Sequence, residues 1–159
     1  VHMAENSFCE MNMSQLAGVT STKRDTNADL AAGAKLLITE KMLTAEDQWA
    51  ERTMRFELNG EDSRVQLISR IVAKDNSRQV FSPLVVGKAP CRGHVQCDSI
   101  LIGNGQVKSV PAIEAECPDA ILMHEAAIGK IAGDQIIKLQ TLGLTEEEAE
   151  QEILDDFLS

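Results

Sequence analysis

From Gly33 onward, short apolar runs alternate with clusters of turn-forming residues. The runs Lys35–Thr39, Thr53–Leu58, Val65–Val72, Gln79–Val86, His94–Ile102, Val107–Cys117 and Ala120–Ile128 have strand length and are rich in Val, Ile and Leu. Between them stand Asn59-Gly60-Glu61-Asp62, Asp75-Asn76-Ser77, Gly87-Lys88-Ala89-Pro90 and Gly103-Asn104-Gly105. Each cluster combines residues that supply or tolerate turn dihedrals. The last five runs begin roughly 13–15 residues apart, and such spacing predicts a sandwich, a barrel or a solenoid. Several runs are apolar on both faces. In Ala120–Ile128, Ile121, Met123 and Ala127 share one face while Leu122, Ala126 and Ile128 share the other. That pattern suits stacked parallel strands and favours a parallel β-helix over a sandwich.

The two ends read differently. Residues 1–29 are polar and weakly periodic and are expected to form a loose leader, with a short helix around Met11–Ala17; Val1-His2-Met3 reads as a cloning remnant. After Gly129 the period becomes helical. Asp134 is expected to cap a helix through Gln135, Ile136, Ile137, Leu139 and Leu142, ended by Gly143 at the C′ position. Thr145 and Glu148 form a capping box for a second helix, with Glu146 and Glu147 in its first turn, where the helix dipole favours acid. Ala149, Ile153 and Phe157, flanked by Leu154 and Leu158, make one apolar stripe. The expected organisation is a leader over 1–29, a β-helix core over 30–129 and a helical hairpin over 130–159.

Composition narrows the class. Four Phe, one Trp and no Tyr leave an aliphatic core. A formal net charge of −10 argues against nucleic-acid and anionic-membrane partners, which require clustered Lys and Arg. No stretch approaches the roughly 20 apolar residues of a membrane span, and no secretory signal is visible. The four cysteines (Cys9, Cys91, Cys97, Cys117) lack the density of a disulfide scaffold, so a reducing cytoplasmic setting is expected.

Candidate chemistry is sparse. Cys97 lies in an apolar strand and is either a small buried hydrophobe or a thiolate that binds a soft metal or accepts sulfur. His124 and Glu125 are adjacent in another strand, so their side chains point to opposite faces. One of them is then expected in an apolar setting, as a ligand or as a satisfied structural group. There is no CxxC pair, no phosphate-binding glycine loop and no nucleophile elbow. The chain is therefore expected not to be an enzyme.

Asp75 to Leu158 resembles the C-terminal part of the SufB/SufD family of iron–sulfur cluster assembly scaffolds. The matching residues, in order, are Asp75-Asn76-Ser77-Arg78 with Val80-Phe81, then Gln96-Cys97-Asp98-Ser99-Ile100-Leu101-Ile102-Gly103, then Pro111, Ile113 and Glu114. Asp119-Ala120, His124-Glu125-Ala126, Gly129-Lys130-Ile131, Gln135 and Gly143 complete the series. Met123 departs from it, standing where an acidic residue often precedes the His-Glu pair. The resemblance implies a mainly β fold, a right-handed parallel β-helix followed by a C-terminal helical hairpin. It implies a scaffold for cluster assembly that docks a SufC-like ABC ATPase and pairs with a second copy or a related scaffold subunit. Cys97, Glu125 and His124 become candidates for a transient cluster or sulfur-accepting site, with no cofactor expected on the isolated chain. Ile136, Ile137, Leu142, Ile153 and Phe157 become candidates for partner binding. The competing reading is a purely structural β-helix interaction module without cluster ligands.

Overall fold

The computed structural model describes all residues from Val1 to Ser159. Eleven strands come first: β1 (His2–Met3), β2 (Phe8–Gln15), β3 (Ser21–Leu30), β4 (Lys35–Thr44), β5 (Trp49–Leu58), β6 (Arg64–Ala73), β7 (Arg78–Gly87), β8 (Arg92–Leu101), β9 (Gln106–Ser109), β10 (Ala112–Ala115) and β11 (Ile121–Lys130). Helices α1 (Gly133–Thr141) and α2 (Glu146–Phe157) follow. Successive strands go to opposite sheets. One sheet runs β1-β3-β5-β7-β10, with β9 also on β7, and the other runs β11-β8-β6-β4-β2. Every pairing is parallel. The molecule is thus a parallel β-solenoid, mainly β, closed by two helices, as the strand spacing and the resemblance had implied.

The register sets the repeat. Phe8 pairs with Lys35, Lys35 with Arg64, Arg64 with Arg92 and Arg92 with Ile121, so each turn of the solenoid takes 27–29 residues. The corners explain that constancy. Asn6, Gly33 and Asp62 at one corner, and Gly18, Glu46, Asp75 and Gly103 at the other, all have positive φ. At these corners one left-handed residue turns the chain from one sheet to the other. At Gly105 the constraint is space: an added Cβ would lie 2.0 Å from the Ala73 carbonyl oxygen of the turn below.

Alternation inside and outside runs the length of β4 and β5. In β4, Leu36, Ile38, Glu40, Met42 and Thr44 point inward, and in β5, Ala50, Arg52, Met54, Phe56 and Leu58 do. The core between the sheets is aliphatic, with Phe56 and Phe81 its only fully buried aromatics. Two strands extend beyond the apolar runs that mark them because a charged residue interrupts the pattern: Glu40 in β4 and Arg52 in β5 are both buried and ion-paired. Val107–Cys117 is not one strand. It divides into β9 and β10 around Val110-Pro111, where proline offers no N–H to a ladder.

Residues 8–30 correct the expected leader. They form β2 and β3, each in register with the next turn, and no helix forms at 11–17. Their outward positions are polar, which hides the inward series Cys9, Met11 and Met13 that packs on the core. The Val1–Met3 segment is likewise part of the fold: β1 pairs with β3, Met3 is buried, and the Val1 ammonium donates to the Asn27 carbonyl oxygen.

Helix α1 begins with Ala132 as N-cap; Asp134 lies in the first turn rather than at the cap. Gly143 follows the C-cap with φ +100°, as expected. The Thr145–Glu148 capping box of α2 is fully formed. α2 lies back on the outer face of the β2-β4-β6 side. Arg70 donates to the Phe157 carbonyl oxygen at 2.9 Å, Lys74 pairs with Glu150 at 2.9 Å, and Leu158 approaches Leu16 and Leu43. Ala149 and Leu154 are the buried residues of α2.

Removing the carboxylate of Glu40 leaves buried guanidinium charge without its partner. Glu40→Ala is expected to cost about 3–5 kcal/mol in urea unfolding. Lys23→Ala, which breaks an exposed pair with Glu51, should cost less than about 1 kcal/mol.

Candidate functional site

Cys97 stands in β8 on the inward face, 0% exposed. The ladders place it between Ser69 of β6 and Ala126 of β11. His124 shares that inward face, at the end of the column Met11, Ile38, Leu67 and Val95. Its position is diagonal to Cys97, roughly 8 Å away by strand spacing and rise. The Nε2 atom of His124 is buried and has no hydrogen-bond partner. Glu125 points the other way. It is 64% exposed on the outer face, with its Oε2 atom 3.4 Å from Nε2 of His94. The three candidates are therefore close in the fold but divided by the sheet: Cys97 and His124 inside, Glu125 outside with His94.

Burial sets the electrostatics at these positions. It pushes the Cys97 thiol up; hydrogen bonds from Ser109 and Ser99 and the charge of Arg52 oppose the shift. Ser109 Oγ approaches Cys97 Sγ at 3.8 Å from the facing sheet. Burial also lowers His124, and His94 adds to the effect. No group of three or more His, Cys, Asp or Glu side chains converges within this chain.

A buried polar seam beside Cys97 was not anticipated. Glu40, Ser69 and Cys97 follow one another on one inner ladder, and Arg24, Arg52, Phe81 and Ser109 on the facing one. Glu40 accepts from Arg52, pairs with Arg24, and accepts from Ser69 Oγ at 3.0 Å. Arg52 also donates to Gln79 Oε1 at 3.0 Å and lies over the Phe81 ring, 4.9 Å from its centre. Gln79 in turn donates to Thr44 Oγ1 and the Val72 carbonyl oxygen. Burial lowers the Arg52 guanidinium to about 10, which still leaves it charged at neutral pH. The parity of Glu40 and Arg52 with their apolar strand neighbours was the available signal.

The hairpin candidates also divide. Ile137 and Leu142 are 61% and 73% exposed, whereas Ile153 and Phe157 are half-buried. Ile136 is half-buried in a cleft of about 430 Å³ between the helices and the ends of β8 and β11. The open apolar surface of the hairpin is thus centred on Ile137 and Leu142.

His124 gives a pH test. Its folded-state pKa lies below the unfolded value near 6.5. The unfolded chain then binds the proton more readily, so this contribution to stability is complete above about pH 6.5 and is lost as pH falls below it. His124→Gln is expected to flatten that part of the stability profile in urea titrations between about pH 5 and pH 8.

Comparisons with known proteins agree with this architecture. The family model described as "SUF system FeS cluster assembly, SufBD core domain" matches residues 1–157. Relatives bearing the description "Iron-sulfur cluster assembly SufBD family protein" include one from Methanothermobacter thermautotrophicus, 36% identical over 104 residues, 64% of this chain and 25% of the relative. Another, from Archaeoglobus fulgidus, is 37% identical over 103 residues, 64% of this chain and 28% of the relative. A third, from Pyrococcus horikoshii, is 33% identical over 132 residues, 82% of this chain and 40% of the relative. The chain thus spans between a quarter and two-fifths of the length of these relatives. With the family model covering nearly every residue of a parallel solenoid, the chain belongs to the SufBD family, whose role is in iron–sulfur cluster assembly.

Proposed function

We propose that this chain is a scaffold subunit for iron–sulfur cluster assembly that docks a SufC-like ABC ATPase through its helical hairpin and pairs with a second scaffold subunit. The observation that carries the reading is the last turn of the solenoid. There β11 sets His124 beside the Cys97 column and Glu125 on the outer face, next to strand edges that nothing covers: β11 pairs only with β8, and β9 and β10 only with β7. Unpaired edges bordered by exposed Val110, Ile113, Ile121, Met123 and Ile128 favour a second molecule there. That molecule would add the donors one chain lacks. Iron, sulfide and the nascent cluster are then substrates held by Cys97, His124 and Glu125, not a resident cofactor.

Four free cysteines accord with a reducing compartment, the cytoplasm. No helix is long and apolar enough to cross a membrane. The scaffold has no turnover of its own. The ATPase works through the hairpin, and Arg70 supports a route for its movement. This residue holds the end of α2, follows Ser69 directly in β6, and is the ladder partner of Asp98, the residue after Cys97. Displacing α2 would load the sheet beside the buried cysteine and bias it between closed and open states.

A second reading, a structural interaction module without cluster ligands, is favoured by the complete burial of Cys97 and the outward direction of Glu125. Anaerobic reconstitution with iron and sulfide separates the two. Cluster absorbance that disappears in Cys97→Ala supports the scaffold; unchanged absorbance, or none in the paired assembly, supports the structural module. Docking has its own test: Ile137→Asp with Leu142→Asp is expected to abolish capture of the ATPase without changing the circular dichroism spectrum, and retained capture would refute that surface.

A further inference from the structure

The seam described above holds more cation than anion. Two guanidinium groups, Arg24 and Arg52, share one carboxylate, Glu40. Arg24 is about a third exposed, so water can balance its charge, whereas Arg52 is 0% exposed and Glu40 1%. Arg52 uses one terminal nitrogen on Glu40 and the other on Gln79, and its Nε atom is buried without a partner. An uncompensated buried charge is costly, and natural cores pair it with an anion or replace it by apolar groups.

Cys97 is the next inward group on the Glu40–Ser69 ladder, one turn beyond Ser69. It follows Ser69, a donor to Glu40, on one ladder, and it faces Ser109, which follows Phe81 and Arg52 on the other. Two hydroxyl groups lie near its sulfur, Ser109 across the core at 3.8 Å and Ser99 on the same strand face, while the Ser69 hydroxyl of the turn below donates to Glu40. The nearest acid along the strand, Asp98, is on the outer face. The Ser109 hydroxyl and the charge of Arg52 favour a sulfur anion there, against the burial of the site and the charge of Asp98.

We propose that Arg52 is a positioning residue for Cys97, the fixed counter-charge that retains a persulfide anion on its sulfur within the solenoid. The proposal rests on the reading of Cys97 as a sulfur acceptor. In the transfer step, the Cys97 thiolate attacks the terminal sulfur of a persulfide donor, R–S–S⁻. A new S–S bond forms on Cys97, the donor S–S bond breaks, and its electron pair leaves with R–S⁻. No net oxidation occurs, and one negative charge stays on the enclosed terminal sulfur beside Arg52. The aliphatic column elsewhere has no equivalent cation.

The test uses the whole chain with Cys9, Cys91 and Cys117 changed to Ser, loaded anaerobically with inorganic polysulfide and freed of small molecules. Sulfane sulfur is read by cyanolysis and by the mass gain of one sulfur atom. Arg52→Met is expected to lose retained sulfur by about tenfold, and Arg52→Lys to restore most of it, since a cation and not merely bulk is required. If Arg52→Met does not fold, Glu40→Gln with Arg52→Met removes the pair together, and the same loss is expected. Retention equal to that of the parent in either charge-free variant, or failure of Arg52→Lys alongside Arg52→Met, overturns the proposal. Cys97→Ser separates the two readings. Loading that needs Cys97 but ignores Arg52 refutes only the counter-charge, whereas no loading on Cys97 in any form removes the acceptor reading and this one with it.

Discussion

Each inward side chain of this solenoid sits on its counterpart from the turn before, and every other feature depends on that stacking. With parallel strands about 4.8 Å apart, the side chain at a given ladder position has a fixed neighbour above and below. The ladder Met11, Ile38, Leu67, Val95 and His124 shows the usual outcome, four apolar residues closed by one polar group at the open end. A one-residue slip would turn each inward set outward, so the register must be held firmly. Corner residues with positive φ hold it geometrically, and the Glu40–Arg52 pair holds it electrostatically, since each charge has its partner at only one alignment. A buried ion pair adds little net stability over apolar residues of the same size, but breaking it is expensive, which makes it a register lock.

The same stacking explains why the chemistry collects near one end. Inside the column a polar group is tolerated only when its neighbours satisfy it, as Gln79, Thr44 and Ser77 do for one another. At the last turn one side of that arrangement is missing. His124 keeps an unpartnered nitrogen, and the edges of β10 and β11 keep unpaired backbone groups. Cys97 is one turn in from that edge. The solenoid thus encloses a thiol and leaves beside it a strand edge that no part of this chain covers.

The hairpin is fastened to the outer side of this column. α2 uses part of its apolar stripe to lie on the sheet and leaves the acidic face to solvent, while α1 and the connecting turn present Ile137 and Leu142. Its anchors on Arg70 and Lys74 reach the outer side of β6 and the corner that follows it. The hairpin is therefore mechanically continuous with the strand that adjoins Cys97, and movement at one bears on the other.

The sequence by itself determined the local elements. Apolar runs separated by turn clusters located β4 to β8 and β11, and the capping box located α2, because alternation and capping are properties of neighbouring residues. It also determined that His124 and Glu125 face apart, since consecutive strand residues must. What it could not determine was set by contacts between distant turns. Residues 8–30 became strands because the following turn offered a ladder to polar segments without strong intrinsic preference. Glu40 and Arg52 became core residues because the fold brought each to the other; alone, each breaks the apolar pattern that a reader follows along the chain. The division of the stripe on α2, with Leu154 buried and Ile153 and Phe157 half-buried, followed from tertiary packing. Periodicity reports which residues share a face, while only the assembled turns fix what that face meets.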